Sequence, residues 1–176
     1  MSAWKTRGLR GSGLEELINY TNEKYLESHL ALIQKIPTPI TPIEFDKSSR
    51  TIKLAYFEQK STVDYIGAVQ GIPVCFDAKE CAVDTFTLRN IHEHQVRFME
   101  EFERQGGIAF FLIQYTKKDL FYYLTFRKLH DFWKRWEDGG RRSFRFEEID
   151  EKYIIHPEAG VPIPYLNALQ TDLSER

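Results

Sequence analysis

Asp64, Asp77 and Lys79 are the residues of this chain whose types and spacing suit catalysis. Twelve residues separate the two acids, and Ala78 alone divides Asp77 from Lys79. Between the acids lies Ile66-Gly67-Ala68-Val69-Gln70-Gly71-Ile72-Pro73-Val74, which reads as a strand, a tight Gln-Gly turn and a second strand. Such a hairpin would bring Asp64 and Asp77 towards each other on neighbouring strands. Asp77 and Lys79, two apart on extended backbone, would project to one side of the sheet. Two carboxylates with an ammonium at their edge make a pocket suited to a hard divalent cation and a phosphodiester. The same spacing also occurs on a solvent-facing hairpin whose Lys and Asp pair weakly across water. The surrounding chain has to decide between them.

Periodicity outlines the elements that would carry this pocket. Residues 12–35 read as one helix with Leu14, Leu17, Ile18, Tyr25, Leu30 and Ile33 as an imperfect apolar stripe. Ser12 to Glu15 has the form of a capping box at its start. Pro37, Pro39 and Pro42 then impose extended or turned backbone. Alternation at 43–46 and 51–57, around a polar turn at 47–50, predicts a short hairpin inserted before acid-bearing strands at about 63–69 and 72–79. A helix is expected over about 88–105, closed by Gly106-Gly107. Residues 108–113 are continuously apolar, as in a strand buried on both faces. Residues 120–126 are its expected neighbour, followed by a short aromatic-rich helix over 129–137. The last thirty residues carry little pattern. The order helix, strands, helix, strands predicts an α/β fold, a mixed sheet flanked by helices.

Composition narrows the class. The chain has 176 residues, 42% hydrophobic and 14% aromatic, which fits one folded domain with a sizeable core. No run approaches about 18 consecutive apolar residues, so no membrane span is expected. Met1 to Arg7 lacks the apolar stretch of a signal peptide. Cys75 and Cys81 are the only cysteines, and Cys75 lies in an apolar strand. A disulfide framework is therefore not expected, and a reducing, cytoplasmic setting is. The net charge of −2 does not by itself favour nucleic acid. Basic residues are nonetheless grouped, with Lys5, Arg7 and Arg10 in an N-terminal arm over 1–11 and Arg141, Arg142 and Arg145 after Gly139-Gly140.

Several phrases in order carry a family resemblance. They are Arg7-Gly8 to Glu15, Asn19 to Tyr25, Lys35-Ile36-Pro37-Thr38-Pro39-Ile40, Ala55-Tyr56-Phe57, Ser61-Thr62-Val63-Asp64-Tyr65 and Phe76-Asp77-Ala78-Lys79-Glu80. His92-Glu93-His94-Gln95, Gln105-Gly106-Gly107-Ile108 and Gly139-Gly140-Arg141-Arg142-Ser143 follow. Along nearly its whole length the chain resembles the RecU Holliday junction resolvases, which have a restriction-endonuclease-like PD-(D/E)XK fold. The resemblance implies a single nuclease domain over 1–176 with a protruding stalk at about 37–60. It also implies a homodimeric, Mg2+-dependent endonuclease (Mn2+ as substitute) that cuts four-way DNA junctions by paired symmetric nicks in recombination and repair. Its implied setting is the cytoplasm at the nucleoid, with recombinase and branch-migration proteins as further partners and no membrane.

On that resemblance Asp64 and Asp77 hold the metal and Lys79 positions or activates the attacking water. The family's usual acid at the Asp77 position is Glu, one methylene longer. Glu15 matches an acid that related nucleases present from their first helix, although the capping box alone also explains it. Gln95 matches an active-site glutamine and a candidate metal ligand, or else a core-edge residue bonded to backbone. The resemblance and local charge make Arg7, Arg10, Lys35, Lys53, Lys60, Arg141 and Arg142 candidate DNA contacts. In the stalk, Phe45, Tyr56 and Phe57 are available to stack on bases, with packing expected of at least two. His92 and His94 are expected to be structural or to touch DNA backbone, since helical positions i and i+2 do not face each other. Two other functions fit the same residues: a junction-binding protein that does not cleave, and a phage or restriction-type duplex nuclease.

Overall fold

A computed structural model describes residues 12–57 and 62–176. The first helix, α1, spans Ser12–Glu27 and stops well short of the expected residue 35. His29 takes a left-handed conformation (φ 55°). Its N–H donates to Leu26 O at 3.0 Å while Leu30 N–H donates to Tyr25 O at 2.9 Å. This paired closure normally uses glycine, so neither Gly nor Pro marked the stop. The chain then enters β1 (Ala31–Lys35), which the helical pattern had absorbed.

The stalk hairpin is β2 (Ile40–Asp46) with β3 (Thr51–Phe57), a two-stranded sheet of its own. Asp46 Oδ1 accepts from Ser48 N at 2.9 Å and Ser49 N at 3.3 Å, which forms the turn. Among the described residues no second layer covers this sheet, and Phe45, Tyr56 and Phe57 are 55%, 52% and 76% exposed. The expected packing of two of these rings is therefore not found.

The acid-bearing hairpin is β4 (Tyr65–Val69) and β5 (Ile72–Cys81). Gln70 and Gly71 join them with φ of 47° and 89°, the two positive values that a type I′ hairpin turn requires. Next come β6 (Thr85–Thr87), a single 3-10 turn at Leu88–Asn90, and α2 (Glu93–Arg104). Helix α2 thus begins five residues later than expected from position 88, because Thr87 caps the separate turn by accepting from Arg89 N. It is followed by β7 (Ile108–Tyr115), β8 (Leu120–Thr125) and α3 (Phe126–Glu137). The closing segment, weakly patterned in sequence, holds β9 (Ser143–Arg145), β10 (Ile154–Ile155) and α4 (Tyr165–Ser174).

The principal sheet has six strands in the order β1-β4-β5-β7-β8-β10. Its only parallel pair, among the described residues, is β5 with β7, which need the α2 crossover between them. The mixed sheet flanked by helices matches the expected class. Gly67 lets β1 approach β4, since a Cβ there would lie 2.1 Å from Leu32 O. One face of the sheet is an aromatic row, Tyr65 on Phe76 (4.7 Å), Phe76 on Phe110 (4.7 Å) and Phe110 on Tyr123 (4.2 Å). Tyr165 of α4 tilts over Phe76 and Phe110. Side chains alternate along a strand. Pinning Tyr65 and Phe76 to this face therefore fixes the direction of their neighbours, Asp64 and Asp77. Replacing Phe76 by Ala is expected to cost about 3–5 kcal/mol, measured by urea denaturation, because the cavity opens at the centre of the row.

Candidate active site

Asp64 sits just before β4, where β1 ends, and its carbonyl accepts from Ile36 N–H at 2.8 Å. Its carboxylate Oδ2 accepts from the Ala78 N–H of β5 at 2.9 Å. One main-chain donor therefore aims this acid at the strand that carries the other. Asp77 lies in mid-β5, paired with Phe111 of β7, and its side chain is fully buried. Lys79 projects from the same face, with its ammonium against Asp77 Oδ2 and its stem mostly covered. Gln95, in the first turn of α2, donates from Nε2 to Asp77 Oδ1 at 2.8 Å.

A fully buried carboxylate is costly unless it is paired. Asp77 Oδ2 lies against the Lys79 ammonium, and Oδ1 accepts from Gln95. Burial pushes the Asp77 carboxyl up, Lys79 pulls it down, and Asp64 pushes it up again through like charge and a shared hydrogen bond. The balance leaves it at about 7. A group poised there is a common mark of a functional site.

Those features fit a hard cation. Among the described residues, no cluster of three or more His, Cys, Asp or Glu side chains is placed to hold a metal. Two carboxylates suffice for magnesium, which keeps several waters and takes one or two carboxylates plus substrate phosphate. The buried oxygen on Asp77, the neighbouring Asp64 carboxylate and the all-oxygen donor set match that requirement.

Glu15 stands beside the hairpin, where its charge and that of Asp64 both act on Tyr65. Its Oε2 accepts from Lys35 Nζ at 2.6 Å, so each occupies the other. Ser12, the cap partner expected for Glu15, has a side chain outside the described residues. Gln95 does reach the acids, but as a donor. Its Oε1 accepts from the His92 N–H at 3.1 Å. The expected separation of His92 and His94 also fails: their rings stack at 5.4 Å. His92 is the extended cap residue (φ −89°, ψ 145°), outside the helix to which the i, i+2 rule applies.

The basic candidates are dispersed. Lys53 lies on the stalk, 3.3 Å from Asp46. Arg141 pairs with Glu148, and the Arg142 guanidinium lies 3.9 Å over the Trp136 ring. Burial pushes Glu148 up, but hydrogen bonds from Arg141, Arg145 N–H and Arg135 outweigh it and hold the carboxyl at about 2. Arg7, Arg10 and Lys60 lie outside the described residues. A cleft of about 850 Å3 opens between α2, α3 and the C-terminal residues, but none of the three central residues lines it. Its cations Arg104, Lys128 and Arg127 already face Glu100, Asp150 and Asp172. We read it as a seam of ion pairs. Gln95 was expected at the site, though not as a donor to Asp77, whereas the Ala78 N–H that aims Asp64 was not foreseen from sequence. A main-chain donor leaves no signature in residue type.

A family model described as recombination protein U matches residues 9–171. The Holliday junction resolvase RecU of Limosilactobacillus reuteri (strain DSM 20016) is 42% identical over 165 residues, 91% of this chain and 81% of that protein. The protein of the same name from Lactiplantibacillus plantarum is 39% identical over 173 residues, 96% of this chain and 84% of that one. Among solved structures, a Holliday junction resolvase from Archaeoglobus fulgidus aligns with 64% of this chain and 74% of its own, at 8% identity and a TM-score of 0.35.

Proposed function

We infer, for a chain that belongs to the RecU family over nearly its whole length, that it is an endonuclease resolving four-way DNA junctions. The observation that carries the catalytic part is the buried Asp77 carboxylate, with Asp64 and the Lys79 ammonium directly beside it. Asp64 and Asp77 supply oxygen ligands to Mg2+, or to Mn2+ in its place. The cation, when bound, lowers the pKa of a water and offsets charge on the scissile phosphate.

The protein's own groups do the rest. Ala78 N–H holds Asp64 in direction, and the aromatic row behind β4 and β5 prevents the hairpin from turning over. Lys79 places a positive charge where the attacking water and the phosphate meet, so it orients one and stabilises charge on the other. Each chain carries one such centre, so paired symmetric nicks call for two copies related by symmetry. The exposed aromatic stalk offers rings for unpaired bases at a branch point. No described helix is long and apolar enough to cross a membrane. The reading places the enzyme in the cytoplasm with the nucleoid.

The test is cleavage of a mobile four-way junction beside a linear duplex of the same sequence, in Mg2+. The expected result is symmetric nicking of the junction with the duplex left intact. Equal cutting of both would make the protein a duplex nuclease. Tight junction binding without nicking in either Mg2+ or Mn2+ would make it a binding protein.

A further inference from the structure

The small sheet of β6 and β9 has one apolar face and one made of hydroxyls and a guanidinium. Its register pairs Thr85 with Arg145, Phe86 with Phe144 and Thr87 with Ser143. Phe86 and Phe144 are fully buried and stack at 5.1 Å, with Phe132 of α3 on Phe144 at 4.4 Å. Side chains alternate along each strand, so Thr85, Thr87, Ser143 and Arg145 share the outer face. Thr85 and Arg145 are exposed there, and Thr87 and Ser143 are half-buried. Arg89, also exposed, follows at the end away from Arg145, in the turn that Thr87 caps. Thr87 Oγ1 accepts from Arg89 N–H at 3.4 Å, which leaves its own O–H proton to donate.

The charges around this face are already matched, except its own. Asp84 faces Lys118 at 3.1 Å, and Glu148 holds Arg135 at 2.6 Å together with Arg141. Glu147, beyond Arg145, is exposed. Among the described residues no carboxylate pairs with Arg89 or Arg145. A row of hydroxyl and guanidinium donors without a ring or apolar surface suits phosphate oxygens and offers nothing for bases to stack on. We propose that the outer face of β6 and β9, with Arg145 and Arg89 at its two ends, is a contact surface for the sugar-phosphate backbone of a duplex arm of the junction. The proposal rests on the reading of the protein as a junction-cutting enzyme. From Arg89 the chain runs through Asn90 and Ile91 to His92, the cap of α2, whose Gln95 touches Asp77. An arm held on this face is thereby linked to the acids by a short stretch of chain, and its contacts are blind to sequence.

The experiment measures binding of a fluorescent four-way junction and of a linear duplex by anisotropy, in EDTA and over a series of salt concentrations. It compares wild type, Arg89→Gln, Arg145→Gln, the double variant, Thr85→Glu and Lys152→Gln. Each arginine variant is expected to lower the slope of log affinity against log salt by about 0.9, and the double variant by about 1.8, whatever the sequence of the arms. Thr85→Glu removes no cation, yet it should weaken binding by setting a negative charge on the same face. That variant keeps the proposal testable should an arginine variant fold poorly. Lys152→Gln removes an equal charge that Glu175 already matches, at the β10 edge of the principal sheet, and should keep the wild-type slope. A wild-type slope in the double variant, unchanged affinity in Thr85→Glu, or an equal fall for Lys152→Gln would overturn the proposal and leave the face to another partner or to solvent. If wild-type protein binds neither DNA, the junction-enzyme reading itself has failed. If it binds and nicks the junction while the double variant keeps the wild-type slope, only this surface has.

Discussion

Junction cleavage by Asp64→Ala or Lys79→Ala protein is expected to fall by on the order of 10³-fold, with junction affinity within a few-fold of wild type. On the proposed reading Asp64 would contribute one of two carboxylates at the centre, and the Ala78 N–H holds its direction. On that reading its loss would remove one of the two proposed carboxylate ligands and leave the aromatic row untouched. Lys79 removes a charge from the point where negative charge accumulates during attack, so its effect appears in the rate. DNA affinity is spread over many phosphate contacts, and one ammonium adds only a small share. Gel-shift affinity and single-turnover cleavage on the same junction check the split. Parallel loss of binding and cutting would argue that these side chains hold DNA, and undiminished cutting would remove the mechanism.

Metal-free protein should become more stable when Asp77 is replaced by Asn, and the gain should grow with pH. The unfolded carboxyl titrates at its ordinary 3.8, whereas burial, opposed by Lys79 and reinforced by Asp64, lifts the folded one to about 7. The folded state therefore holds more protons between those values, so wild-type stability falls as pH rises through that window and levels off above it. The penalty is fully developed above the folded value and vanishes as pH falls below the unfolded one. Asparagine is neutral throughout and keeps an oxygen for Gln95. Urea unfolding in EDTA at pH 5 and pH 8 should show a wide gap between variant and wild type at pH 8 and a narrow one at pH 5. A gap that is constant or reversed would mean that Asp77 is not held against its own charge. Added Mg2+ should then raise wild-type stability at pH 8 and leave the Asn variant unchanged, since only a ligand that binds the folded state shifts the balance.

Much of the architecture was legible because its signals are local. The positive φ at Gln70 and Gly71, the alternation of β2 and β3 and the apolar run of β7 are each set by residues within a few positions. The misreadings arose where a neighbour in space overruled such a signal. Leu30 and Ile33 continue a helical stripe, yet His29 closes the helix and β4 draws Ala31–Lys35 into the sheet. Likewise α4 has weak pattern of its own and is fixed by Tyr165, whose hydroxyl donates to Asn22 Oδ1 at 2.5 Å. The basic candidates show the same limit. Residue type marks Lys35 and Arg141 as available to phosphate, whereas the fold has given them Glu15 and Glu148.

The chain's order of residues alone determined that two acids and a lysine share one side of a hairpin, because a strand's two-residue period and a two-residue turn leave no other arrangement. Only the folded molecule decided what each acid feels. Asp77 is buried between a lysine two positions away and a glutamine eighteen positions away, and Asp64 is steered by a backbone N–H. Burial and long-range contacts set proton affinity and direction, and neither is encoded in the spacing of the residues concerned.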